Sequence, residues 1–482
     1  MRMCGRQADE TSEKAPKIIR FRRISHSVEG CLLIALVVFC VPRALFAQHT
    51  EQPSPLTLRQ AVSIALEKNP QRRAALADTR AASADVMEAR SFLLPHVTFS
   101  ETATRGNDPV YVFGSKLRQQ RFTTADFALN ALNTPTPLSN FATRFGGTWN
   151  LFDSFGSWRG VNRAERAKDA AGHHLERTDQ EIIFRVVDSY YGVLLAKKQL
   201  EVAGQSMKTA QAILDRSKDR FESGVVVESD LLSAQVRLAT RKQELILAQN
   251  DLALARAQLS TSIGMSTEND FDPAEALAER DLPATTLEEA EKKAVELRPD
   301  LKRIRSEEAA QQQSVSIAKS SFGPRVNAFA GWEADNPTFA GGGGGNNWAA
   351  GIEVQFDLFE GGAKRARLSR ERAMQEKVAA VREMATDATR LEVRRAYHEL
   401  DSARQQVEVA RASIADSQES LRINQNRYDS GISTITDLLA AEETARRSQA
   451  EFWEAVYRYL TGYANLELAS GTLNPESPVV TP

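Results

Sequence analysis

The chain repeats its own sequence pattern at a nearly constant spacing of 207 residues. The segment RFESGVVVESDLL begins at Arg220, and RYDSGISTITDLL begins at Arg427. The same spacing relates three further pairs: Leu151-Phe152-Asp153 and Leu358-Phe359-Glu360, Ser189-Tyr190 and Ala396-Tyr397, Gly264 and Gly471. Upstream the spacing becomes 229, because the first copy carries 22 more residues in the loop after residue 105. A duplicated unit of this length predicts two similar structural repeats.

Residues 1–47 have the pattern of an export signal. Three arginines at positions 20, 22 and 23 precede the apolar run CLLIALVVFCVPRALFAQ, which contains the small-residue site Ala44-Leu45-Phe46-Ala47. We expect cleavage after Ala47. The alternative is a retained membrane anchor, against which Arg43 argues because it lies close to the end of the apolar run.

All three cysteines, Cys4, Cys31 and Cys40, lie within this leader. The chain that remains after cleavage has no residue for a disulfide or a thiolate metal site. The leader holds eight Lys/Arg and four Asp/Glu, so a total net charge of −2 leaves about −6 on the rest. This charge gives no reason to expect a nucleic-acid partner.

Each repeat contains one very long amphipathic helix, predicted at about 157–219 and about 362–426. In both helices large and small residues alternate along a seam that steps by three and four, as in coiled coils. The seam of the first copy is Val186, Ser189, Val193, Ala196, Leu200, Ala203, Met207, Ala210 and Leu214. That of the second is Val393, Ala396, Leu400, Ala403, Val407, Ala410, Ile414, Ser417 and Leu421. We interpret these stripes as packing surfaces on helices about 95 Å long.

The repeated glycine segment predicts a helical hairpin tip in each copy, at 220–230 and 427–437. Gly224 and Gly431 can adopt the left-handed conformation that ends a helix. Ser229-Asp230 and Thr436-Asp437 are expected to supply N-cap oxygens for the returning helices. The paired leucines that follow, Leu231-Leu232 and Leu438-Leu439, are expected to pack those helices.

Between the short and long helices of each copy the hydrophobic period changes to two, which is typical of strands. The expected strands are about 95–104, 143–153, 324–334 and 348–359. In the last of these Ile352, Val354, Phe356 and Leu358 alternate with Glu353, Gln355 and Asp357; in the second, Phe145, Trp149 and Leu151 alternate with Thr148 and Asn150. Tilted outer-membrane strands have this length and this two-faced pattern, although a soluble hairpin packed on a helix has a similar one.

The loops at the strand tips favour the membrane interpretation. Residues 105–142 and 336–347 are rich in Thr, Asn, Pro and Gly, and the second loop includes the run Gly341 to Gly345. Four strands cannot close a barrel, and an open sheet edge in lipid leaves backbone groups without hydrogen bonds. Strands in a membrane would therefore require several copies of the chain.

In the order and duplication of these elements the chain resembles the outer membrane efflux protein family, the TolC-like exit ducts of Gram-negative bacteria, over about residues 56–470. The resemblance implies a mainly α fold in which long coiled-coil hairpins form an α-barrel. This continues a trimeric 12-stranded β-barrel to which each chain gives four strands. The expected organisation is a signal peptide at 1–47, a first repeat at 48–270, a linker in the equatorial region at 271–285, a second repeat at 286–470 and a tail at 471–482.

The family resemblance also implies a passive outer membrane channel of a tripartite efflux or type I secretion system. The expected partners are two further copies of the chain, a periplasmic adaptor, an inner-membrane pump and outer membrane lipid. The adaptor would dock at the hairpin tips, for which we name Gly224, Gly431, Arg220, Arg427 and Asp230. The alternative is a periplasmic hairpin adaptor or scaffold that forms no pore, for which lipid-facing aromatic residues such as Trp149 have no use.

Asp437 lies where relatives place an acidic residue at the narrowest part of the closed periplasmic mouth. Three copies would form a carboxylate ring that attracts cations. An ordinary aspartate favoured by the helix dipole explains the residue equally well, as Asp230 does in the other copy. Where some relatives have a second acidic residue this chain has Ala440, for which Glu442 and Glu443 are candidate substitutes. No pattern predicts a catalytic residue, a cofactor or a metal site.

Overall fold

The computed structural model describes residues 54–267, 271–339 and 345–481. The predicted signal, its cleavage site, the three cysteines and residues 341–344 of the glycine run lie outside the described residues. The helices are α1 (Leu58–Lys68), α2 (Pro70–Ser91), α3 (Pro109–Arg118), α4 (Leu129–Asn133), α5 (Gly156–Glu222), α6 (Glu228–Ile263), α7 (Leu287–Leu297), α8 (Pro299–Ser320), α9 (Ala363–Asp429) and α10 (Ile435–Ser470). The strands are β1 (Ser54–Leu56), β2 (His96–Gly106), β3 (Leu138–Phe152), β4 (Phe271–Pro273), β5 (Arg325–Asn336) and β6 (Gly345–Gln355).

Apart from α3, a 3₁₀ turn and α4, which lie between β2 and β3, the two repeats have the same element order, and their equivalent helices have the same lengths. In each, two short helices precede two strands, a long helix and a returning helix. The long helices α5 and α9 have 67 residues each, and the returning helices α6 and α10 have 36 each. At 1.5 Å per residue the long helices extend about 100 Å. Over the described ranges, no helix combines the length and the apolar character needed to cross a bilayer.

The helices lie side by side in two tiers that share α5 and α9. In the tier next to the four-stranded sheet the order is α2, α5, α8 and α9, and in the tier that ends at the hairpin tips it is α6, α5, α10 and α9. The seams predicted on α5 and α9 are buried or half-buried at every position. The interpretation of these stripes as packing surfaces is therefore confirmed.

The largest apolar cluster lies where the two tiers meet. It combines residues of α1, α5, α6 and α10 with the segment between the repeats and the C-terminal tail, including Leu473, Val479 and Val480. The Arg280 guanidinium, in the segment between the repeats, donates to the carbonyl oxygens of Pro478 at 2.7 Å and Thr481 at 2.9 Å. The tail is thereby fixed against the linker.

A helix break at the same point of each repeat fits against the end of the returning helix. Pro70 and Pro299 are the first residues of α2 and α8. At this position the backbone N–H has no partner within the helix, so a proline, which has no N–H, loses no hydrogen bond. The terminal glycines Gly264 and Gly471 have φ of +85° and +73°, and a Cβ on either would lie under 3 Å from the backbone at this break. Both features explain why these positions recur in the repeat.

The four long strands form one antiparallel sheet in the order β2, β3, β5, β6. The pairing of β3 with β5 shifts between Asn150 and Phe152, so Leu151 is an extra residue at a bulge and Phe152 takes the place opposite Val326. The regular pairing on which the expected apolar face depends therefore ends at Asn150, one residue before Leu151, because a bulge leaves its extra residue unpaired.

Two other expectations about the strands need correction. The segment 105–142 is not simply a loop, because β3 begins at Leu138 and the preceding residues form α3, a 3₁₀ turn at Thr124–Phe127 and α4. Strand β6 ends at Gln355, so Phe356 and Leu358 lie beyond it and belong to the connection to α9. There the chain turns through Gly361 and Gly362, both with positive φ.

Candidate functional site: the two-faced sheet and the hairpin tips

One face of the sheet is apolar and exposed along all four strands. Residues that are paired across neighbouring strands point to the same face. The pairing therefore places on this face Val97, Phe99, Phe145, Trp149, Val326, Trp332, Trp348, Ile352 and Val354. Seven of these nine are exposed large hydrophobic side chains. A contiguous exposed apolar band of this kind is typical of a surface that contacts a membrane or another protein.

The opposite face of the sheet is polar. It carries Thr98, Ser100, Thr102, Arg144, Thr148, Asn327, Glu333, Glu353 and Gln355. Arg144 and Glu333 form an ion pair of 2.7 Å across two strands. Phe329 is the exception on this face, and its ring lies over Gly351, which has no side chain to displace it. The predicted alternation between an apolar and a polar face is confirmed for these strands.

The polar face continues onto a concave surface formed by α2, α5 and α8. A groove of about 1260 Å³ begins at Arg325 on the polar face of β5 and at Asp153, next to the start of α5. The α5 side of the groove carries small residues, Gly156, Gly160, Ala164, Ala167 and Ala171. Charges of both signs, including Arg303 and Glu307, line its α8 side. One water-accessible surface therefore leads from the sheet to the helices.

The hairpin tips have the glycine conformation expected from the sequence. Gly224 and Gly431 have φ of +71° and +74°, a region that residues with a side chain seldom adopt. The next amide in each copy, at Val225 and Ile432, donates to the carbonyl oxygen of Arg220 and Arg427 respectively, at 2.9 Å. These bonds close the ends of α5 and α9.

The expected N-cap residues of the returning helices are wrong. Helix α10 is capped by Thr434, whose hydroxyl accepts a bond of 3.2 Å from the amide of Asp437, and α6 begins after Val227 without a side-chain cap. The helix starts earlier because Ile435, Leu438 and Leu439 then share one buried face. In the other copy Leu232 is exposed, so it does not pack its helix within one chain.

Asp437 occupies the third position of α10 and completes a capping box. Its Oδ2 accepts bonds from the Thr434 hydroxyl at 2.7 Å, from the Thr434 amide at 3.1 Å and from the Ser433 hydroxyl at 3.2 Å. These bonds, that from the Thr434 hydroxyl most of all, hold the pKa of Asp437 below its usual value. The side chain is exposed, and all three bonds use the same carboxylate oxygen. Capping and a charge presented to solvent are therefore compatible.

Arg220 joins the two tips of one chain. Its guanidinium lies over the Tyr428 ring, 4.9 Å from the centroid, and donates to the carbonyl oxygens of Tyr428 and, at 3.0 Å, Asp429. Arg427, at the equivalent position of the other copy, is exposed, and Asp230 is half-buried. Of the charged residues named for the tips, Arg220 thus makes contacts within the chain, whereas Arg427 and Asp230 are accessible to a partner.

A buried ion network near the tips has no counterpart in the sequence analysis. Arg241 of α6 is 1% exposed and reaches Glu442 of α10, 2% exposed, at 2.7 Å. Arg241 also binds Glu443 and, at 2.7 Å, Glu244, while the Ser206 hydroxyl of α5 donates to Glu442 at 2.5 Å. The expectation that Glu442 substitutes for a pore-lining acid is wrong, because its charge is neutralised inside the helix bundle.

Known proteins with similar sequences or structures are outer membrane proteins and channels. A family model described as "Outer membrane efflux protein" matches residues 61–265 and 291–472, which are the two repeats. The chain is 24% identical over 443 residues to outer membrane protein TolC of Escherichia coli K12, covering 87% of this chain and 83% of that protein. It is 23% identical over 434 residues to alkaline protease secretion protein AprF of Pseudomonas aeruginosa, covering 88% and 86%. The solved structure of the CmeC outer membrane channel of Campylobacter jejuni is similar in fold, with a TM-score of 0.73 at 18% identity, covering 90% of this chain and 92% of CmeC.

Proposed function

This chain belongs to the outer membrane efflux protein family, and from that membership we propose that three copies assemble into one continuous duct coupled to an inner-membrane pump. The protein lies in the outer membrane and serves as an exit duct of an efflux or type I secretion system. The duct is passive, without enzymatic activity, and the pump supplies direction and energy. The alternative of a hairpin adaptor without a pore is set aside, because an adaptor has no need of a sheet with an exposed apolar face.

The two open sheet edges carry the proposal of a trimer. Among the strands that the structure describes, β2 and β6 are the outermost, so each has one row of backbone groups without a strand partner. In lipid each such group costs several kcal/mol, and only a closed barrel satisfies them all. Pairing β6 of one copy with β2 of the next gives twelve strands from three chains of four. The apolar face then contacts lipid and the polar face lines the lumen.

We place the docking surface for a periplasmic adaptor at the hairpin tips. Gly224 and Gly431 set the shape of the tips. Of the charged residues named there, Arg427 is exposed and Asp230 is half-buried, so both can contact a partner. Because each chain has two tips, three chains present six similar tips around one rim. Arg220 acts indirectly by holding neighbouring tips in register through Tyr428.

The test of the duct is the behaviour of the purified native chain. We expect extraction only with detergent, migration as an SDS-resistant trimer, and ion conductance after insertion into planar bilayers. A chain that dissolves in plain buffer as a monomer would refute both the trimer and the duct.

We propose that the Asp437 carboxylates of three copies form a ring that binds cations at the periplasmic mouth. Three ionised carboxylates close to one axis bind a multivalent cation much more strongly than one does. We expect Asp437→Asn to weaken block of the conductance by a multivalent cation on the periplasmic side about ten-fold. Asparagine keeps an oxygen that can accept the capping bonds of Thr434.

Asp230→Asn is the matched control, since Asp230 is the same residue at the repeat-equivalent position. We expect it to leave the cation block unchanged. If both variants reduce the block equally, or if neither does, the ring is refuted and the duct itself is unaffected.

A further inference from the structure

The segment between β2 and β3 is a compact folded unit. Phe122 packs edge-on against Phe113 and Phe127, with ring centroids 4.8 and 5.1 Å apart. An ion pair of 2.6 Å joins Lys116 of α3 to Asp126 of the 3₁₀ turn. These contacts lie within the region where the first repeat is 22 residues longer than the second. The extra residues therefore build a defined structure at one end of the sheet.

Helix α3 of this unit lies across the polar face of the sheet. It contacts β3, β5 and β6, and its buried side chains are Val112 and Ser115, followed by the buried Gln119 directly after its end. The side-chain amide of Gln119 donates to Oδ1 of Asn140 at 2.8 Å and to the backbone carbonyl oxygen of Ser139 at 2.9 Å. Asn140 in turn donates to the fully buried Asp335 at 2.5 Å.

A second attachment lies one residue earlier on α3. Arg118 pairs with Glu333 at 3.4 Å, and Glu333 also binds Arg144 of the polar face. The carbonyl oxygen of Arg118 occupies the place where a Cβ on Gly345 would lie, so the helix end can approach β6 only because that residue is glycine. Asn140, Glu333, Asp335 and Gly345 all belong to the polar face by their pairing.

The opposite side of α3 is apolar and uncovered within one chain. Val110 is 79% and Leu117 is 49% exposed. They are seven residues apart and thus lie on one helix face, about half a turn away from Val112, Ser115 and Gln119. Since the attached side of α3 rests on the wall that faces the lumen, the exposed side points towards the lumen interior.

We propose that α3 forms a plug at the outer mouth of the duct, in which Val110 and Leu117 of each chain pack against the same residues of the other two copies. The occupant of this apolar surface is a second copy of the chain, because the open edges of β2 and β6 place the copies around the axis that the polar face surrounds. Arg118 and Gln119 hold each helix on its own wall. The plug rests on the trimer proposed above and adds a constriction at the opposite end from Asp437.

Cross-linking tests whether the three helices meet. All native cysteines precede residue 48, so Leu117→Cys introduces the single cysteine of the chain once the predicted leader is removed. Oxidation of purified trimers is expected to yield covalent dimers, and Val110→Cys is expected to do the same. Thr338→Cys, exposed in the other strand connection, serves as control and should not cross-link. In bilayers, reducing the oxidised Leu117→Cys trimer should raise its conductance about two-fold.

The outcomes separate this inference from the proposed function. Trimers that form and conduct, but in which neither Leu117→Cys nor Val110→Cys cross-links, would overturn the plug alone. Failure to obtain any trimer would instead refute the duct on which the plug rests.

The attachment of α3 to the wall is tested in the Leu117→Cys background. Adding Arg118→Ala removes the ion pair with Glu333, and adding Gly345→Ala displaces the Arg118 carbonyl. Either change should lower the rate of cross-linking several-fold, whereas Arg121→Ala, at an exposed arginine of the same segment, should not. Equal rates in all three variants would show that Arg118 does not hold the plug.

Discussion

Replacing Arg241 by alanine is expected to lower the free energy of unfolding by about 3–5 kcal/mol, because it leaves the carboxylate of Glu442 buried without its counter-charge. Glu442 would keep only the hydroxyl of Ser206 as a close partner among the contacts described. The change is measured as the denaturant midpoint and slope of trimers in detergent. Arg237→Ala is the control, since Arg237 pairs with Glu443 at 3.3 Å from a partly exposed position and its loss should cost about 1 kcal/mol or less.

The loss caused by Arg241→Ala should depend on pH in a defined direction. Burial raises the pKa of Glu443, but the hydrogen bonds from Arg446 and Arg241 outweigh it and lower the value from 4.5 to about 2. A lowered pKa contributes stability that is present above the unfolded value and is lost as the pH falls towards the folded one. The difference between native and variant should therefore be largest near neutral pH and shrink below about pH 4.5.

A double variant separates an unpaired charge from simple loss of packing. Arg241→Met with Glu442→Leu replaces the ion pair by apolar side chains, a change that is often neutral in buried sites. We expect it to recover most of the stability lost in Arg241→Ala. A double variant as unstable as the single one would contradict the assignment of the loss to an uncompensated charge.

The substitution Ala350→Arg is expected to prevent assembly of the trimer in lipid, whereas Ala349→Arg is expected to leave assembly intact. Ala349 and Ala350 are consecutive, both exposed, and on opposite faces of β6. Ala350 lies between Trp348 and Ile352 on the apolar face, where arginine in the middle of a bilayer costs about 2–4 kcal/mol. The cost applies to each of three chains, so the fraction of SDS-resistant trimer after refolding into vesicles should fall steeply.

The Ala349→Arg variant controls for the size of the new side chain. Its arginine enters the water-filled lumen opposite Gly331 and should leave trimer formation nearly unchanged. Equal loss of trimer in both variants, or greater loss with Ala349→Arg, would mean that the polar and apolar faces have been assigned the wrong way round.

The periodic features of the fold could be predicted from the sequence, since each depends on residues close together in the chain. The seams of α5 and α9 and the alternation in β6 are of this kind. The N-cap at Thr434 was missed because two threonines, 434 and 436, both precede an apolar run, and only the burial of Ile435 distinguishes them. The bulge at Leu151 escaped for a related reason, because it depends on the pairing of β3 with β5.

The ion network and the plug could not be predicted from local patterns. Arg241 and Glu442 are about 200 residues apart in sequence, and their contact exists only because α5, α6 and α10 come together in the second tier. For the plug the sequence offered one signal, which is that the first repeat is longer than the second. The Thr, Asn, Pro and Gly content of residues 105–142 instead predicted a loop without helices. Val112, Ser115 and Gln119 lie on one side of α3, and Val110 and Leu117 lie on the other. These residues span only three helical turns, which is too short for the sequence pattern to predict a helix with a contact surface on each side.

The equal lengths of the paired helices limit how such a chain can change during evolution. Because α5 matches α9 and α6 matches α10 in length, one helical turn gained by a single hairpin would put its tip about 5 Å out of level with its neighbour. Descendants spanning a wider or narrower periplasm must therefore alter four helices together. Insertions should accumulate instead where height is not constrained, which is where the extra 22 residues of this chain are found.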